Sequence, residues 1–265
     1  MTTKDGRAVA RENEVRVLRA LHRCGWLRTR DLGALVWRRW ARHPTGEASL
    51  APAIPTAAGM RMAQRTLKRL REKRQVLGSR APDGSLIYAL AEGGARLLQE
   101  LGVAAASGKD LMRTFSSAHY RHRCISNSIA VSAIIEGYRV STEREVAQGA
   151  WLGGEAGIAA KRPDVLIRGN DRVWWIEVER SRKNDADYAR LLAWLQAVKQ
   201  DIARPSGAGL LGANLRWGKV VFVCTDRFRH RLNRDLVAAG WSESMLAQFI
   251  LYSTDLYGFE DINFI

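Results

Sequence analysis

Apolar residues recur at helix spacing in the first quarter of the chain. Val15, Leu18 and Leu21 predict a helix over 11–23 with one buried face. After Gly25-Trp26, Thr29 is placed to cap a second short helix, with Asp31 in its first turn and Leu32, Leu35 and Val36 inward. Residues 38–59, RRWARHPTGEASLAPAIPTAAG, lose all periodicity. A loop of that length is either mobile or ordered by a partner. Periodicity returns in MRMAQRTLKRLREKRQVLG, where Met60, Ala63, Leu67 and Leu70 form a stripe and cations fill the remaining surface. VLGSRAPDGSLIYAL then reads as strand, Pro82-Asp83-Gly84 turn and strand, and GGARLLQELG as a closing helix.

The second half alternates differently. Residues 105–117 read as a linker, and His119 to Tyr138 as a helix with Ile125, Ile129, Ser132, Ala133 and Glu136 on one stripe and Gly137 at its end. YRVSTEREV reads as a strand, followed by the pair PDVLIR and VWWIEVE across a polar turn. DADYARLLAWLQAVKQDI is an amphipathic helix, KVVFVC a buried strand, RHRLNRDLVAAG a helix and QFILYST a last strand. Period-two alternation sets Glu177 and Glu179 on the same face of their strand and Val178 on the other. With Asp164 on the preceding strand, three acids converge, which is the arrangement that holds a cation or a proton.

Charge sharpens the picture of the first half. Residues 1–113 hold 22 Lys+Arg against 10 Asp+Glu, and the rest of the chain is nearly balanced. Such a field draws polyanions, nucleic acid first. Of 265 residues, 46% are hydrophobic and nine are Trp, the composition of a folded chain with one large or two modest domains. Cys24, Cys124 and Cys224 are too dispersed for a zinc site or disulfide framework, and no run is long enough for a membrane span or reads as a signal peptide. A cytoplasmic location fits.

Helix, helix, basic helix and hairpin is the order of a winged helix-turn-helix, whose third helix enters the major groove of double-stranded DNA. The expected domain is 10–104, with Arg61, Arg65, Lys68 and Arg69 on the helix and Arg80 in the wing as DNA contacts. After the 105–117 linker, 118–265 forms the second domain. The expected fold class is thus α+β followed by α/β.

In the second domain, Pro163-Asp164 and Glu177, thirteen residues apart on consecutive strands, resemble the PD-(D/E)xK or restriction-endonuclease-like fold, a mixed sheet flanked by helices. The resemblance implies catalytic roles for Asp164, Glu177 and Glu179. It also implies Mg²⁺ or Mn²⁺ on Asp164 and Glu177, with the Val178 carbonyl and waters completing the shell. Glu143 or Glu145 on the preceding strand is a further candidate ligand. This chain has Glu179 where the fold normally has lysine, with Arg180 and Lys183 as the nearby cations. The plainer alternative has the acids paired with Arg162, Arg180 and Arg182 and no catalysis.

ISNSIAV in the helix opening at His119, STEREV, and the Glu177-Val178-Glu179-Arg180 run resemble the replication-relaxation family over about residues 10 to 255. That family typically has PDG where this chain has Pro163-Asp164-Val165. The resemblance implies a DNA-binding accessory protein of a plasmid or mobile element, acting in replication or mobilisation and meeting other proteins of those processes. A Mg²⁺-dependent endonuclease and a transcriptional repressor are the alternatives. Homodimerisation is left open, since winged-helix proteins often read paired half-sites. A relaxase is disfavoured, because His119 and His122 stand three apart on a helix and form no paired-histidine triplet. Trp37 and Trp40, beside Arg38, Arg39 and Arg42, are candidates for stacking on DNA.

Overall fold

Asp5 opens the first helix, its carboxylate accepting from the Arg7 amide at 3.1 Å, one of the donors a helix start leaves unpaired. This helix, α1 (Gly6–Cys24), leads to β1 (Trp26–Arg28), α2 (Thr29–Val36), α3 (Ala57–Glu72), β2 (Val76–Arg80), β3 (Leu86–Leu90), α4 (Glu92–Glu100), α5 (Lys109–Arg113) and α6 (Ser117–Ile135). Then follow β4 (Arg139–Ser141), α7 (Glu143–Ala147), β5 (Val165–Gly169), β6 (Arg172–Glu179), α8 (Asp185–Ile202), β7 (Arg216–Cys224), α9 (Asp226–Ala238), α10 (Glu243–Phe249) and β8 (Ile250–Ser253). The computed structural model describes residues 5–179, 184–204 and 209–254. Over these the protein is α+β, with ten helices and two sheets.

Two compact units divide the chain, one built on residues 5–41 and 51–135, the other on 42–50 and 136–254. The division falls after residue 135, so α6 packs in the first unit although the 105–117 linker would assign it to the second.

In the first unit β1, β3 and β2 form an antiparallel sheet in that order, with Trp26 opposite Ala89 and Val76 opposite Leu90. The hairpin turn falls at Pro82-Asp83-Gly84 as the sequence indicates, with Gly84 at φ 78, where a side chain would be strained. Helices α2 and α3 pack closely because Gly59 has no side chain. A Cβ there would lie 2.9 Å from the Gly33 carbonyl oxygen. The α1 face is rotated from expectation: Val17, Leu18, Leu21 and Cys24 are buried, while Val15 is half-buried. Arg28, not Thr29, stands at the α2 N-cap, and Asp31 accepts from its amide at 2.9 Å and from its guanidinium at 2.9 and 3.0 Å. Met60, expected in the α3 stripe, is half-buried, while Ala63, Leu67 and Leu70 are buried.

The loop before α3 is ordered by the chain itself. In the first unit, Ser132 Oγ accepts from the Ala53 amide and donates to the Ala51 carbonyl, both at 2.8 Å. In the second, Tyr138 donates to the Gly46 carbonyl at 2.8 Å. Helix α6 ends at Ile135, so Glu136 lies beyond it, and Gly137 takes φ 87.

The second unit is a five-stranded mixed sheet in the order β4-β5-β6-β7-β8, antiparallel through β6 and parallel from there. The parallel pairs require crossovers, supplied by α8 between β6 and β7 and by α9 and α10 between β7 and β8. Trp175, Leu191, Trp194, Trp217 and Phe222 share one buried cluster, with the Trp175 and Trp194 ring centroids 4.6 Å apart. Two strands are shorter than expected. STEREV leaves the sheet after Ser141, because Thr142 and Glu145 form a capping box that starts α7. In QFILYST, α10 takes Gln248 and Phe249 before β8 begins.

Candidate functional site

On α3 the residues that are not needed for packing are largely basic. Arg61, Arg65 and Lys68, spaced four and three apart, are exposed on one face and make no ion pair or side-chain hydrogen bond among the described residues. Arg69 is differently placed. Its Nε lies 3.1 Å from Glu14 Oε1 on α1, and Lys73 Nζ lies 2.8 Å from Glu14 Oε2. Burial pushes the Glu14 carboxyl up, but the hydrogen bonds from Lys73 and Arg69 outweigh it and hold the group below the ordinary carboxylate range. Arg69 therefore joins α3 to α1.

Arg80 is exposed at the end of β2. The turn beyond it is tied down: the fully buried Tyr120 of α6 donates to Asp83 Oδ2 at 2.8 Å and lies 3.0 Å from Ser85 Oγ. Trp40, a candidate for stacking, is engaged within the unit. Its indole N–H donates to the Leu35 carbonyl at 2.6 Å, and the Arg16 guanidinium covers its ring at 5.4 Å.

In the second unit, the β5–β6 register sets Val165 opposite Ile176, and Asp164 stands just before β5 at that end. The Asp164 amide donates to the Ile176 carbonyl at 3.0 Å, and its Oδ2 accepts from the Val178 amide at 2.7 Å. Glu177 and Glu179 are both buried, at 5% and 7% exposure, so they are not the solvated acids of an ordinary strand surface. Arg180, Arg182 and Lys183 lie outside the described residues.

Among the described residues, a cation that the motif did not indicate stands at this site. Lys161 Nζ lies 2.7 Å from Glu177 Oε2, and the other oxygen of Glu177 accepts from the Trp175 indole at 2.6 Å. A tight turn delivers it. Ile158 and Lys161 exchange both backbone hydrogen bonds, at 2.9 and 3.1 Å, around Ala159 at φ 48 and Ala160 at φ 60. Such a turn favours Asn-Gly, and two alanines there are strained. Trp194 pins the turn by donating to the Ile158 carbonyl at 3.0 Å, and its ring lies 5.7 Å from the ammonium. A cavity of about 420 Å³ opens beside Ala160, Lys161, Arg190 and Trp194.

Burial pushes the Glu177 carboxyl up to about 7 against the pull of Lys161, and the neighbouring Asp164 and Glu179 add to the rise. Burial would lower Lys161, but Glu177 outweighs it, helped by Asp164 and Glu179, and the ammonium is held above its ordinary range. Both directions have one origin, an excess of carboxylates in a dry place.

The donor set does not fit a divalent ion as arranged. Both Glu177 oxygens and one of Asp164 are already engaged by N–H donors. The Val178 residue meets Asp164 through its amide. Glu143 and Glu145 are on α7, not on a strand, and Glu145 Oε2 accepts from the Thr142 amide at 2.8 Å. Among the described residues, no three His, Cys, Asp or Glu side chains form a group that could hold a metal.

Fold and site together define a two-unit α+β protein with a basic surface helix in one unit and a buried carboxylate–ammonium cluster in the other. No helix among the described residues is long and apolar enough to cross a membrane. The chain belongs to the replication-relaxation family, whose sequence profile matches residues 42–195, a span that holds α3, Lys161, Asp164, Glu177 and Glu179. The match is shorter than the resemblance read from the motifs, leaving out α1 and everything after residue 195. Searches of curated proteins and of solved structures returned no match.

Proposed function

We propose that this chain is a DNA-binding accessory protein of a plasmid or mobile element, serving replication or mobilisation, with a winged helix-turn-helix as its reader and a nuclease-like second domain. The exposed row Arg61, Arg65 and Lys68 carries the reading. It lies on the helix that follows the tight α2–α3 approach, in the element order α1-β1-α2-α3-β2-β3, which is that of a winged helix. Cations without a partner among the described residues on such a helix suit phosphates, and each phosphate contact adds about 0.9 to the slope of log affinity against log salt. Because Tyr120 holds the hairpin turn, Arg80 at its flank is the better wing contact than the tip.

Fluorescence anisotropy with duplex DNA over a salt series tests this. Replacing Arg61, Arg65 and Lys68 by Ala is expected to weaken binding about tenfold or more at low salt and to flatten the slope. An unchanged affinity and slope would remove α3 from the interface.

A second reading, a Mg²⁺- or Mn²⁺-dependent DNA endonuclease, has one observation in its favour: Asp164 meets β6 beside Glu177, its carboxylate accepting from the Val178 amide at 2.7 Å. Cleavage of supercoiled DNA that Asp164→Asn abolishes would establish it, and metal-independent binding without cleavage would refute it.

A further inference from the structure

Helix α6 follows the winged-helix elements in the chain, yet polar side chains along one of its faces hold four parts of that unit. Tyr120, near its start, donates to Asp83 Oδ2 in the hairpin turn at 2.8 Å and lies 3.0 Å from Ser85 Oγ. Two turns on come Asn127 and Ser128, the polar centre of ISNSIAV. Asn127 Nδ2 donates to the Trp26 carbonyl of β1 at 2.9 Å, and the Arg28 guanidinium at the start of α2 lies 3.3 Å from Ser128 Oγ. Ser132, a turn further, holds Ala51 and Ala53 ahead of α3. Steps of seven, one and four keep these residues on one helix face. Tyr120, Asn127 and Ser132 are buried, where a polar group costs free energy unless it is paired.

At the hairpin this grip also governs a charge. Asp83 sits three residues from Arg80, and a loose carboxylate there would repel the phosphate that Arg80 is proposed to meet. Burial pushes the Asp83 carboxyl up, but hydrogen bonds from Ser85 and Tyr120, with the charge of Arg28, outweigh it and hold the group below the ordinary carboxylate range. The acid is therefore ionised and tied to α6.

We propose that Tyr120 is a positioning residue of the DNA reader, fixing the hairpin turn so that Arg80 meets the backbone while Asp83 is kept from it. This rests on the DNA-binding reading of the first unit.

The experiment is duplex-DNA anisotropy over a salt series, on chains whose folding is checked by circular dichroism. Asp83→Ala separates two forecasts by sign. By charge alone, deleting an acid from the wing should tighten binding, whereas a turn that must be held predicts binding weaker by about threefold or more. Tyr120→Phe keeps the ring that stacks on Trp26 at 5.6 Å. It should weaken binding similarly and lower the salt slope by about 0.9, the value of one phosphate contact. Added to Arg80→Ala, either substitution should cost little more, because all three remove the same contact. Tighter or unchanged binding by Asp83→Ala, an unchanged slope in Tyr120→Phe, or additive losses would overturn the proposal. Should Tyr120→Phe not fold, the sign of the Asp83→Ala effect decides. The triple alanine variant at Arg61, Arg65 and Lys68 tells the two levels apart. If it weakens binding and the turn variants do not, only the role of Tyr120 falls; if it changes nothing, the α3 reading falls and the proposal with it.

Discussion

Removing the Lys161 amine should destabilise the protein by an amount that depends on pH, because the partner left behind can take up a proton. Stripping one member from a buried ion pair costs roughly 3–5 kcal/mol when the other stays charged. Burial raises the Glu177 carboxyl from its ordinary 4.5 to about 7 in the folded chain. Its raised value means that the folded state holds a proton the unfolded state has released. This group's contribution to stability is therefore full below 4.5 and is lost as pH rises through 7. Without Lys161 the folded value climbs further, and each additional unit costs about 1.4 kcal/mol at pH above it.

At about pH 5 Lys161→Met removes little more than one hydrogen bond to a neutral carboxyl, about 1 kcal/mol. At about pH 8 the cost should approach 3 kcal/mol, because Glu177 must stay ionised without a partner or bind a proton against the bulk. Urea denaturation of Lys161→Met, Glu177→Gln and the double variant at both pH values measures this. At the higher pH the double variant should lie within about 1 kcal/mol of the native chain, as a neutral amide needs no counter-ion. An equal cost at both pH values, or a larger one at the lower, would refute the assignment of the buried charge to Glu177.

The remaining predictions concern α3 and the strained turn. Arg69→Ala should cost about 0.5–1 kcal/mol in urea melts, since the Glu14 contact is partly exposed. It should also weaken DNA binding less than Arg65→Ala in parallel anisotropy titrations. Ala160→Gly should stabilise the protein by about 0.5–1 kcal/mol, the strain relieved at positive φ less the chain entropy glycine adds, and a thermal melt reads it as a higher Tm.

What the sequence made legible is what local chemistry determines. Pro82-Asp83-Gly84 marks a turn because few other residues supply that geometry, and Asp164 reaches β6 beside Glu177 because two alternating runs joined by a short polar turn have few registers. Asn170 at that turn takes φ 52, a conformation asparagine tolerates. The end of β4 is legible in Thr142 and Glu145, whose spacing is that of a capping box and starts α7 rather than extending the strand. Val15 and Val17 are separated by tertiary packing, which a helical period in a short segment does not resolve. Lys161 had no signal of its own. Its turn has Ala-Ala where such a turn calls for Asn-Gly, and its partner lies sixteen residues on, across a sheet.

The charge balance of the cluster connects these threads. Asp164 and Glu179 lie near enough to Glu177 and Lys161 to act on both, and they add negative charge around the buried Glu177–Lys161 pair. Low dielectric makes that costly, and the cheapest relief is a proton on the most buried acid. Glu177 is that acid, with its two oxygens on Lys161 and Trp175. Lysine and proton thus divide between them the neutralisation of this one carboxyl. When the lysine is gone, a proton alone can neutralise Glu177, so the stability of Lys161→Met should fall with rising pH more steeply than that of the native chain.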